Sequence, residues 1–158
     1  MRSLVVLLCL TLSITTAAAQ SATPLDPDTA CADFRHRSVR FIDVHELGDV
    51  GRAEYIAGHG PVIMLDPDIM ETLPGTLQQF FKLHECGHHV LGHLFAPTDH
   101  SERDADEWAI RRGRTLGLFT RTEIESWRPY FANSLGSNFG HLPGPRRVDF
   151  LLRSYDEP

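Results

Sequence analysis

The run His84-Glu85-Cys86-Gly87-His88 carries the residue types needed to assemble most of a metal-dependent hydrolytic site. On an α-helix, residues four apart lie about one turn apart and roughly 40° around the axis. His84 and His88 can therefore offer two imidazole nitrogens to one ion. Glu85 stands beside them, where its carboxylate can take a proton from a water the ion polarises. The H-E-x-x-H pattern also arises by chance, so the surrounding chain must support the geometry.

A catalytic zinc site usually has three protein ligands and an open fourth position. The metzincin arrangement would place a glycine three residues after His88 and a histidine six after it. Those positions hold Leu91 and Leu94, and His93 misses by one residue. The downstream acids are the other source. Glu102 and Asp106 are four apart and share a helix face, whereas Asp104 lies about 200° from Glu102. Glu102 is the expected third ligand. Asp106, one turn on, can accept the N–H of a ligating histidine and fix its tautomer; Asp106 as the ligand itself is the competing assignment. His89 reads either as the rim of the cleft or as a solvated side chain. His36, His45, His59, His93 and His100 read as surface or turn residues.

The elements that must position these groups follow from pattern. Arg40–Val44, Ala53–Ile56 and Pro61–Leu65 are β-prone, and Gly58-His59-Gly60 marks a hairpin turn between the last two. Leu77, Phe80, Phe81, His84, His88 and Leu91 keep the i, i+3, i+4 series of an amphipathic helix, expected over Thr76–His93. Ser101 with Asp104 resembles a capping box that opens a second helix to about Thr115, with Gly117 as its stop. Thr120 with Glu123 opens a third, to about Leu135. Gly136 to Gly144 reads as a loop, and Pro145 suits the first turn of a last helix ending near Tyr155. Thr29 to Val39 reads as a short helix carrying Cys31 and Phe34. The fold class is α+β: a short sheet, two site-bearing helices and C-terminal helices.

These motifs resemble those of the gluzincin metallopeptidases, particularly the HtpX-like group. His84-Glu85-Cys86-Gly87-His88 followed by His93 is similar to that group's H-E-x-G-H-x-x-x-x-H, and Glu102-Arg103-Asp104-Ala105-Asp106 to its E-x-x-A-D, whose glutamate is the third zinc ligand. His141-Leu142-Pro143-Gly144-Pro145-Arg146-Arg147-Val148 is similar to the His-Pro segment before the group's last helix. The short spacing from His88 to Glu102 is closer to the ImmA/IrrE-like peptidases, which carry a similar run to Glu102–Ala109. The resemblance covers about Val62 to Leu152. It implies a zincin fold, Zn2+ as cofactor, and Val62–Leu65 as the strand that pairs with an extended peptide substrate. Tyr55, Tyr130 and His141 are candidates for stabilising an oxyanion, and His141 is preferred for the motif it occupies.

Length and composition set the remaining bounds. A chain of 158 residues, 42% hydrophobic, suits one small globular domain. Arg2, the apolar stretch Leu4–Ile14 and Ala17-Ala18-Ala19 read as a secretory signal peptide over residues 1–19. Ser21 to Thr29 reads as a flexible leader, and residues 40–158 as the single domain. No later segment is apolar enough to cross a bilayer, so no membrane insertion is expected once the signal is removed. The net charge of −6 argues against nucleic acid as the main partner. After signal removal, Cys31 and Cys86 remain. One bridge or two buried thiols fit the sequence equally.

The expectation is an exported zinc metallopeptidase, periplasmic or secreted, acting on peptides or proteins. His84, His88 and Glu102 hold the metal, Glu85 is the general base and His141 the oxyanion partner. Two rivals stand beside it: a zinc-binding interaction or chaperone-like protein that no longer cleaves, and a secreted effector acting on another cell.

Overall fold

The structure is a computed structural model that describes residues 31–136 and 140–158. The expected signal peptide, the Ser21–Thr29 leader and part of the Gly136–Gly144 loop lie outside the described residues.

Three strands form one sheet in the order β1-β3-β2, with β1 spanning Arg40–Asp43, β2 Gly51–Ile56 and β3 Gly60–Leu65. β2 and β3 form the expected hairpin, with Ala53 opposite Ile63, and Gly58 and Gly60 adopt the positive φ its turn requires. β1 runs parallel to β3, placing Phe41 opposite Ile63. The apolar run Pro61–Leu65 has no polar side chain to offer solvent, so it takes the central position, with a strand paired on each edge. This corrects the expectation that Val62–Leu65 is the strand bordering the cleft: both its edges are paired, and of the two edge strands it is β2 that lines the cleft.

The described part of Thr29–Val39 is not helical. Ala32 and Ser38 form an antiparallel bridge around a tight turn in which His36 has a positive φ. Asp33 drives this: its carboxylate accepts from the backbone N–H groups of Arg35 and Arg37 and from the Arg37 guanidinium. Local bonds of this kind compete directly with a helix.

The helices are α1 (Pro67–Met70), α2 (Gly75–Val90), α3 (Ser101–Leu116), α4 (Arg121–Ser126), α5 (Arg128–Phe131) and α6 (Gly144–Asp156). α2 ends three residues before His93, and Gly92 follows with positive φ. The α3 start differs in detail from the capping box expected at Ser101. His100 is the N-cap residue, and the Ser101 hydroxyl instead accepts from the Thr98 N–H. Gly117 closes α3 in the left-handed conformation, as its position suggested. Thr120 and Glu123 make a full capping box, but the helix they open stops at Ser126. Pro129, with no N–H, cannot continue it and starts the short α5 instead.

Two buried clusters hold these layers. One lies between the sheet and α2 and includes Cys31, Val39, Ile63, Leu65, Met70 and Cys86, with Cys31 and Cys86 joined by a disulfide. The other lies among the helices, where Phe80, Phe119, Trp127 and Phe131 pack with Leu77, Ile110, Ile124, Val148 and Leu151. Among the described residues, no helix is long and apolar enough to cross a membrane.

Candidate metal centre

α2 carries three functional stripes. Leu77, Phe80 and Leu83 face the helical core, Cys86 faces the sheet, and His84, Glu85 and His88 are buried where α2 meets α3 and the cleft. The crossing of α2 and α3 is close because both helices are small at the contact. A Cβ on Gly87 would lie 3.2 Å from the Ala105 Cα and carbonyl oxygen. That approach brings one turn of α3, from Glu102 to Asp106, over the two histidines.

The donor atoms converge. His84 Nε2 and His88 Nε2 are 3.3 Å apart, and Glu102 Oε2 lies 3.2 Å from the first and 3.4 Å from the second. His141 Nε2 approaches the same oxygen at 2.7 Å. Three imidazole nitrogens thus surround the buried Glu102 Oε2. Donor atoms crowded this closely around one point are what an ion's ligand atoms look like. His84, His88 and Glu102 form a group able to hold a metal ion.

The supporting residues are as ordered as the donors. His84 Nδ1 lies 2.8 Å from Asp106 Oδ1. Asp106 in turn accepts both Nε and Nη2 of Arg147, at 2.9 and 2.7 Å, so a buried carboxylate is matched by a buried guanidinium. Burial works against charge on Asp106, but Arg147 and His84 outweigh it and hold its carboxyl at about 2. Asp106 is therefore an anion. Burial likewise opposes charge on His84, while bonds to Asp106 and Glu102 raise it to about 9. Glu102 is held well below the ordinary carboxylate range, because His141, His84 and His88 together overcome its burial.

The cleft above these groups has a volume of about 410 Å³ and is lined by Glu85, His84, His88, Glu102, His141, Arg147 and Gly51, among others. Gly51 sits directly on the candidate base: a Cβ there would lie 3.1 Å from Glu85 Cγ. Tyr55 and Tyr130, the other oxyanion candidates, do not line this cleft. Tyr55 accepts from Arg37 Nη1, and Tyr130 is exposed.

Three residues have roles that the sequence reading missed. His93 is buried with Nδ1 3.1 Å from His88 Nδ1; the helix has ended by then, so wheel geometry places it wrongly. His89 neither rims the cleft nor meets solvent. It is buried with Nε2 2.8 Å from the Val62 carbonyl oxygen, tying α2 to β3. Arg147 is the third, and a signal existed for it. It lies four residues before Leu151 on the apolar stripe of α6, and an arginine there needs a buried partner. No protein-family model, curated protein or solved structure matches this chain.

Proposed function

We propose that the protein is a zinc-dependent peptidase of the zincin type, exported, with His84, His88 and Glu102 as the metal ligands. The observation that carries this is the donor spacing. Zinc lies about 2.0–2.2 Å from nitrogen and oxygen donors, and a tetrahedron of that size has edges of roughly 3.3–3.5 Å. The three edges here are 3.2, 3.3 and 3.4 Å. Two imidazoles and a carboxylate are also a donor set that suits this ion. Zinc held there supplies Lewis acidity toward a carbonyl oxygen and toward water.

The chain's own residues account for the rest. Glu85 accepts a proton from the attacking water and returns it to the leaving amine. Asp106, anchored by Arg147, keeps His84 in one tautomer, with Nε2 directed at the centre. His141 stands at the cleft side of Glu102, where its ring can meet a developing oxyanion.

The open edge of β2 orients an extended peptide. Asp66 N–H donates to the Val50 carbonyl, so even-numbered residues of β2 bond to β3. Gly51, Ala53 and Tyr55 therefore direct their N–H and C=O groups outward, and a substrate strand can add there.

The test is metal content and cleavage of an unfolded protein substrate by the parent and by Glu85→Gln. The expected result is about one zinc per chain in both, with turnover in the parent only. Equal cleavage by both removes Glu85 from the mechanism. The approach of His141 to Glu102 favours a second reading, in which His141 closes the site as a fourth ligand and the protein binds zinc without cleaving. His141→Ala separates the two: loss of zinc supports the closed site, whereas retained zinc with a fall in kcat supports the oxyanion role.

A further inference from the structure

Seven large hydrophobic side chains are exposed among the described residues, and five of them, Phe34, Tyr55, Leu91, Leu94 and Phe95, come from segments that meet at the far end of β2. Phe95 packs against Phe34 and Tyr55 with ring centroids 5.4 and 5.6 Å apart, while 41–48% of each of the three residues stays open. Phe34 is held in place by the Asp33 turn, by its N–H bond to the His89 carbonyl and by its seat over Gly92. The surface is thus built by the N-terminal turn, the edge strand and the segment after α2.

Arg35 defines the rim. Its guanidinium lies over both Phe34 and Phe95, 4.9 and 5.1 Å from the ring centroids, and no carboxylate pairs with it among the described residues. Arg37, over Tyr55, differs because its charge is already answered by Asp33.

The patch continues the cleft. Leu94 lines the cleft beside His88, and Tyr55 lies on the same open edge as Gly51, which touches Glu85. Tyr55 is four steps along the strand from Gly51, about 13 Å at the usual rise. A peptide paired along β2 would therefore reach the aromatic surface about four residues from the bond at Glu85. Three half-open rings and two leucines are too little to carry a stable dimer, which buries about 800 Å² per partner.

We propose that Phe34, Tyr55 and Phe95, with Arg35 at their rim, form a recognition subsite for a large apolar side chain and a neighbouring carboxylate on the extended substrate. The proposal rests on the peptidase reading and narrows its substrate class. The substrates are unfolded segments that pair apolar with acidic residues about four positions from the cut.

The test uses fluorescein-labelled peptides of about twelve residues, built of alanine and serine. In each, a phenylalanine–glutamate pair is moved one position at a time. Binding is read by anisotropy on zinc-loaded Glu85→Gln, and cleavage sites by mass spectrometry on the parent. The expected result is about tenfold tighter binding at one register than for the alanine–serine peptide without the pair, with the parent cutting about four residues from the pair. Phe95→Ser should abolish that preference, and Arg35→Glu should reverse the contribution of the acid; both positions are exposed, and circular dichroism checks their folding. The peptide series on the parent sequence decides the matter even if a variant fails to fold. Cleavage and binding indifferent to the pair overturn the subsite and leave the peptidase reading intact. A clear binding register with no cleavage by the parent supports the subsite and overturns the peptidase reading. Neither binding register nor cleavage overturns both.

Discussion

The two buried clusters that flank α2 are built on opposite principles. Under the sheet, the buried side chains are aliphatic or sulfur-bearing and none is aromatic, and a disulfide joins the N-terminal turn to the helix. Among the helices, four buried aromatics interlock: Trp127 lies 5.3 Å from Phe80 and 5.2 Å from Phe119 between ring centroids, and Phe131 packs on Phe81. One side is fastened by a covalent link and the other by volume. His84 and His88 stand between the two, since Cys86 separates them in sequence and Phe80 lies beside His84. The lesson is that the site's rigidity has two independent sources, and each can be removed by itself.

The largest expected loss is in the helical cluster. Trp127→Ala should cost about 3–5 kcal/mol of unfolding free energy, read from urea titrations of the metal-free protein. Replacing Cys31 and Cys86 together by alanine should cost about 2–4 kcal/mol, because the link closes a long loop in the unfolded chain. That pair should also weaken the proposed zinc binding more than Trp127→Ala does, since Cys86 lies between the two candidate ligand histidines. If the tryptophan variant proves the milder in stability, the comparison is reversed. Ile63→Val should cost about 1 kcal/mol, and the loss should grow in the disulfide-free background if the small cluster depends on its fastening.

The smallest effect is the pH dependence of the N-terminal turn. Burial opposes charge on Asp33, but the Arg37 guanidinium and the N–H groups of Arg37 and Arg35 prevail and hold its carboxyl below 3.8. The folded value is the lower one, so this stabilisation is full above the unfolded value and fades as pH falls through the folded one. Asp33→Asn should therefore lose stability near neutrality and flatten the acid limb of a melting-temperature profile below about pH 4.

The parts of the molecule governed by local pattern were legible in the chain. The hairpin, the helix bearing His84 and His88, the capping box at Thr120 and the stop at Gly117 all follow from spacing over a few residues. The convergence of Glu102 and Asp106 on His84 followed from their shared helix face. What escaped was decided by contacts distant in sequence. The order of strands cannot be read from a hairpin alone, so the bordering strand was misassigned to Val62–Leu65. The turn at Asp33 overrode a helical pattern through side-chain bonds to the backbone. Arg147 lies far along the chain from the carboxylate it answers, and only its position on an apolar stripe hinted at that partner.

The tight seam at Gly87 and Ala105 has a consequence for how the centre is loaded. Main chain meets main chain there, and the anchored carboxylate behind His84 fixes the ring from the other side. Neither feature depends on an ion, so if a metal is bound at the centre, chelation should strip it without unravelling the protein. Reloading should then be rapid and fully reversible.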